Sequence, residues 1–132
     1  MKGLVVRILL GGTAAFACVA LLPIVAASRG ADAPPREVTI VARDMAFYVD
    51  GQPTPNPTLR FKAGERVRLV LRNEDAGMTH DFVITSWEVA TRSISERGAA
   101  AAVEFRVPGD RSASAYHCTP HSEMMRGGIQ VD

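Results

Sequence analysis

The chain has 132 residues, 47% hydrophobic and 22% charged, with a formal net charge of +1. A balance so near neutral offers no basic patch of the kind that nucleic-acid binding calls for. Cysteines number two and histidines three, so the places where they stand carry weight.

The first segment reads as a targeting signal. Lys2 and Arg7 form a positive start, and residues 8–27, "ILLGGTAAFACVALLPIVAA", carry no charge. The small residues Val25, Ala26 and Ala27 suit a signal-peptidase cut, and "ADA" at 31–33 offers a second. An uncleaved membrane anchor is the competing reading, because 20 apolar residues just reach across a bilayer. Pro23 and the small residues favour cleavage. Either way the remainder leaves the cytoplasm for a periplasmic or exported location, and it is tied to a membrane only if this segment stays attached. The division expected is a signal peptide or anchor at 1–27, a polar, Pro-containing linker at 28–36 and one domain at 37–132. Without Lys2 and Arg7 the basic count falls from 15 to 13 against 14 acids, a net charge near −1.

Cysteine usage sharpens the picture. If Cys18 departs with the signal, Cys118 stands alone in an oxidising compartment and no disulfide can form within the mature chain. A buried inert thiol is the ordinary explanation for such a residue. A metal thiolate is the other, and its neighbours bear on the choice.

Helical periodicity is scarce after the linker. "EVTIVA" (37–42) is rich in β-branched residues. Tyr48 to Pro57, "YVDGQPTPNP", reads as an irregular connection, and Met45 before it as core filler. "TLRFKAGERVRLVLRN" (58–73) holds two alternating runs around a turn at Ala63, Gly64 and Glu65. In the second run Val67, Leu69 and Leu71 point one way and Arg66, Arg68 and Arg72 the other. "DFVIT" (81–85) reads as a compact strand, and residues 86–100 as a strand, a loop or a helical turn. "AAVEFRV" (101–107) alternates again up to a turn at Pro108, Gly109 and Asp110. "ASAYHC" and "GGIQV" (127–131) supply the last strands. Short strands punctuated by Gly and Pro predict an all-β, antiparallel sandwich or barrel. There is no internal repeat and no low-complexity segment.

The chemistry gathers near the C-terminus. "YHCTPHSEMM" (116–125) packs one cysteine, two histidines and two methionines into ten positions. Sandwich folds bring loops together at one end, so His80, at the start of a strand, can join Cys118 and His121. One thiolate, two imidazoles and a weak axial thioether form the soft donor set of copper electron-transfer sites, whereas zinc takes four strong donors. Taken alone, His80 is an ordinary polar residue and a methionine is core filler. His117 precedes Cys118 on a strand, so its side chain faces away.

These residues resemble the cupredoxins, the small blue copper proteins. "YHCTPH" looks like amicyanin and is close to pseudoazurin and plastocyanin. "NPTLRFKAGERVRLVLRNEDAGMTHDFVI" (56–84) resembles the N-terminal half of that family. The resemblance spans roughly residues 37–132. It implies a Greek-key β-sandwich of about eight strands, one type 1 copper ion and a one-electron carrier role. Two departures stand out. Asp81 replaces the Asn that many relatives carry after the first histidine; a carboxylate there still accepts hydrogen bonds, and its charge lowers the expected potential. The axial ligand is open between Met124, at the amicyanin spacing, and Met125. Strand parity counted back from Val131 through Ile129 and Gly127, together with the Met-x-Gly pattern, favours Met125.

The leading functional reading is therefore an exported carrier serving transient redox partners such as a dehydrogenase, a cytochrome or a reductase. Its alternative is a periplasmic copper-binding or delivery protein without redox cycling. An enzyme ranks third, because catalysis needs an open coordination position or a second metal.

Overall fold

The computed structural model describes residues 33–132. The expected signal or anchor at 1–27, Cys18 and most of the linker lie outside the described residues. Nine strands run in chain order: β1 (Arg36–Arg43), β2 (Ala46–Val49), β3 (Leu59–Phe61), β4 (Arg66–Asn73), β5 (Val83–Ile84), β6 (Val89–Ala90), β7 (Ala100–Arg106), β8 (Ser114–His117) and β9 (Arg126–Val131). Two single 3-10 turns, Thr85–Trp87 and Thr119–His121, complete the regular structure of the described residues. Among the described residues no helix is long and apolar enough to cross a membrane.

The strands form two sheets, β2-β1-β4-β7 and β3-β9-β8-β5-β6. The all-β sandwich is as expected, but its sheets are mixed. β1 pairs with β4 in parallel, and β3 pairs with β9 in parallel. The cause is the path of the chain. It leaves the first sheet after β2, lays β3 into the second, and returns through β4 beside β1. That crossing between layers is the Greek-key step, and it sets β4 running the same way as β1.

The alternation in β4 is realised in full. Val67, Leu69 and Leu71 are wholly buried, and Arg66, Arg68, Val70 and Arg72 lie half-buried on the outer face. They meet Ile40, Ala42, Leu59, Phe61, Ile84, Ile129 and Val131 in a single core. Burying each such side chain contributes about 1.5–3 kcal/mol. Phe47, Phe82 and Tyr116 close the core beneath the loops: the Phe82 and Tyr116 rings stack at 4.9 Å, and Phe47 meets both edge-on.

Three local expectations are corrected. Met45 is not core; it sits half-buried in the β1–β2 turn, where Asp44 and Met45 both have positive φ, 51° and 59°. Two such residues between the paired Arg43 and Ala46 are what a two-residue hairpin needs to match strand twist. The strand expected over 81–85 pairs in a ladder only at Val83–Ile84, because the Phe82 N–H goes to the Thr91 hydroxyl, not to a strand, and Thr85 opens a 3-10 turn. Residues 48–57 are irregular only from Asp50 onward, since Tyr48 and Val49 belong to β2.

Candidate metal centre

One end of the sandwich gathers the end of β4, the β1–β2 turn, the loop up to His80 and the loop between β8 and β9. His80 is held by two backbone bonds, its N–H to the Ile94 carbonyl (2.8 Å) and the Ile94 N–H to its own carbonyl (2.9 Å). This isolated pair, outside any ladder, points the fully buried imidazole inward. Cys118 follows β8, equally buried. Its loop is closed from within: the Cys118 N–H donates to the Met125 carbonyl (2.9 Å), the His121 N–H to Cys118 (3.2 Å) and the Met125 N–H to His121 (2.9 Å). Pro120 sits in the first turn of the 3-10 segment, where its fixed φ suits the geometry.

The donor atoms converge. His80 Nδ1 lies 3.7 Å and His121 Nδ1 3.6 Å from Cys118 Sγ. One donor atom from each of the three falls within 4.8 Å of the others. Donors held by one ion at about 2.3 Å (thiolate) and about 2.0–2.1 Å (imidazole), with an angle of ~115° between them, stand about 3.7 Å apart. Both Nδ1–Sγ separations therefore match donors that share one metal ion. Burial pushes the Cys118 thiol pKa up, against the pull of the Asp81 and His121 backbone N–H groups. Burial likewise lowers the His80 pKa, against the Asp75 carboxylate. Both effects favour neutral groups until a cation arrives, and a bound cation reverses the preference for the thiol.

The two methionines separate cleanly. Met125 is fully buried in the same apolar cluster as Cys118, whereas Met124 is 57% exposed. His117 lies across the strand from this cluster, half-buried beside Ser122, Glu123 and Arg126.

Asp81 ties the His80 loop to the Cys118 loop, as an Asn would: its Oδ1 accepts the Thr119 N–H at 2.6 Å. Three further residues escaped the sequence reading. Asn56, with φ 46°, accepts the Phe47 N–H (3.0 Å) and donates to the Met124 carbonyl (2.9 Å), so it clamps the ligand loop to β2. Asn73, fully buried, donates to the Met78 and Glu96 carbonyls (3.2 and 3.3 Å) and accepts the Asp75 N–H (2.9 Å). Asp75 accepts from His80 Nε2 at 3.1 Å. The Asn-x-Asp spacing of a local Asx turn was the one signal in the sequence. Gly127 is needed because a Cβ there would collide with the Tyr116 hydroxyl and ring. That hydroxyl donates to the Pro57 carbonyl at 2.6 Å.

Solved structures share this architecture. Auracyanin B is 21% identical, with a TM-score of 0.59 over 76% of this chain and 91% of that one. The cupredoxin fold is the fold of this chain. Auracyanin A, a "blue" copper protein from the green thermophilic photosynthetic bacterium Chloroflexus aurantiacus, is 16% identical, with a TM-score of 0.58 over 75% of this chain and 100% of its own. Rusticyanin from Thiobacillus ferrooxidans is 23% identical, with a TM-score of 0.56 over 73% and 76% of the two chains. No protein-family model matches the sequence, and no curated protein does. On the cupredoxin fold, the His80, Cys118 and His121 cluster lies at the loop end of the sandwich.

Proposed function

We propose that this chain is an exported one-electron carrier with a single type 1 copper centre, held by His80, Cys118 and His121, with Met125 as the axial ligand. The observation that carries the reading is the pair of Nδ1–Sγ separations, 3.7 and 3.6 Å, around a buried cysteine. Copper bound there supplies a reversible Cu(II)/Cu(I) couple. The chain's own residues do the rest. Cys118 offers the strongest soft donor, and its burial keeps water and oxidants from the sulfur. The closed hydrogen bonds of residues 118–125 hold the donors in one arrangement, so that an electron can come and go with little movement of the protein.

The burial of Met125 beside Cys118, against the exposure of Met124, supports the axial assignment. His121 is half-exposed while His80 and Cys118 have no exposure, which makes its imidazole the port through which electrons pass. The partners we infer are a dehydrogenase, a cytochrome or a reductase, met through a small transient interface. The near-neutral mature charge gives little long-range steering toward them.

The test is a Cu(II) titration of the purified protein followed by a redox titration. The reading predicts an intense blue or green band that bleaches reversibly on one-electron reduction. A pale complex, or one that retains only Cu(I), would replace it with copper binding and delivery.

A further inference from the structure

Asp75 and Glu74 are adjacent acids at the end of β4, and their surroundings differ. Glu74 reaches Arg72 at 3.1 Å and Arg43 at 3.9 Å, at the surface. Asp75 has no arginine or lysine beside it among the described residues; the partner it faces is the His80 imidazole, at 3.1 Å. Its side chain is 18% exposed and that of His80 is 0% exposed. Of the contacts between acidic and basic side chains at the described residues, this is the one with a fully buried member.

The carboxylate is also clamped from several directions. Its Oδ1 accepts the Asp44 N–H from the β1–β2 turn at 2.9 Å. Its own N–H donates to Asn73 Oδ1 at 2.9 Å, and Asn73 is anchored by the two loop carbonyls of Met78 and Glu96. The left-handed turn at Asp44 and Met45 thus gains a role, because it aims an N–H at the carboxylate. Oδ2 is left to meet Nε2 of His80. An Nε2–H that donates to this carboxylate places the lone pair of the ring on Nδ1, the atom that faces Cys118.

We propose that Asp75 is a positioning residue for the metal centre. It fixes His80 as the Nε2–H tautomer with Nδ1 free for the metal, and its charge, transmitted through the imidazole, favours the more highly charged state of the ion. The inference rests on the copper reading for its effect on potential; the tautomer does not depend on that reading. The physics is that of a carboxylate–histidine–metal relay, in which the outer acceptor orients the ring and raises its basicity. Loss of such a partner typically costs 10–100-fold in metal affinity. A more basic imidazole binds Cu(II) more tightly by a larger factor than Cu(I), so Asp75 lowers the reduction potential.

Two measurements test this. In the metal-free wild-type protein, 15N NMR of His80 reads the tautomer directly. Nε2–H is the expected result, and Nδ1–H would overturn the proposal whether or not copper is the native metal. In the copper-loaded full chain, Asp75→Asn keeps an acceptor of similar shape and removes the charge. Its expected effects are an intact visible band, a loss of at least tenfold in Cu(II) affinity relative to Cu(I), and a potential higher by about 59 mV for each tenfold. Glu74→Gln, which removes the same formal charge one residue away, should leave the potential close to wild type. Equal potentials for wild type and Asp75→Asn would reduce Asp75 to a structural role, even if the melting temperature fell. Should Asp75→Asn fail to fold, Asp75→Glu takes its place: it retains the charge, and a wild-type potential is expected of it. A potential raised as far as that of Asp75→Ala would overturn the proposal. If wild type itself gave no intense band, the copper reading would fall separately, and the NMR result would still decide the orientation of His80.

Discussion

The two ends of the sandwich are held by different kinds of bond. At the end away from the site, the turn of residues 63–65 is fastened by a side chain-to-surface network: Arg36 to Glu65 (2.9 Å), Arg106 to the Gly64 carbonyl (2.7 Å) and Glu65 back to the Lys62 N–H (2.8 Å). Arg36 there is 48% exposed, and ion pairs of this type contribute about 0–1 kcal/mol. At the site end, Asn73, Asp75, Asp81 and Asn56 bind loop backbone from buried or half-buried positions. Breaking the bonds of Asn73 or Asp81 leaves a buried or part-buried polar group unpaired, at about 1–3 kcal/mol each. The difference shows where this fold needs precision. The far turn has only to reverse the chain, while under the proposed copper reading the near loops keep three donor atoms at a fixed separation.

Substitutions can break the contrast at successive levels. Cys118→Ser should have the largest effect, abolishing the intense visible copper band; its survival would remove Cys118 from the ligand set. Asn73→Ala frees two loop carbonyls and the Asp75 N–H, and should lower stability by about 3 kcal/mol in urea unfolding of the metal-free protein. A loss under about 1 kcal/mol would erase the distinction between the two ends. Met125→Leu should raise the reduction potential, whereas Met124→Leu leaves it nearly unchanged; the reverse order in a redox titration would move the axial position to Met124. Arg36→Ala, at the far end, should change stability by less than about 1 kcal/mol in the same urea assay.

Much of this was legible in the residues, for reasons that can be stated. The alternation of Val67, Leu69 and Leu71 with arginines admits one strand and one inward face, and β4 has both. The closing strand was equally plain, because a period of two puts Ile129 and Val131 on the inward face and Gln130 on the outer one. The Cys-x-x-His spacing brought Cys118 and His121 into view, and His80 joined them only through the fold. Other features depend on partners distant in sequence. Parallel pairing of β1 with β4 follows from the crossing between layers, which no local pattern records. Met45 looked like core because an apolar residue carries no mark of a left-handed turn. Asp75 resembled any loop acid, and its meaning comes from the Asp44 N–H 31 residues away and from His80. Asn56 is the same case, reaching 68 residues to the Met124 carbonyl.

The central claim is that one ion is held by the cysteine and the two histidines together. X-ray absorption at the copper edge, on protein loaded with one Cu(II), tests it most directly. The account predicts an inner shell of one sulfur and two imidazole nitrogens, with the sulfur lost in Cys118→Ser and one nitrogen lost in His80→Ala. A shell of nitrogen and oxygen alone, unchanged by either substitution, would contradict it.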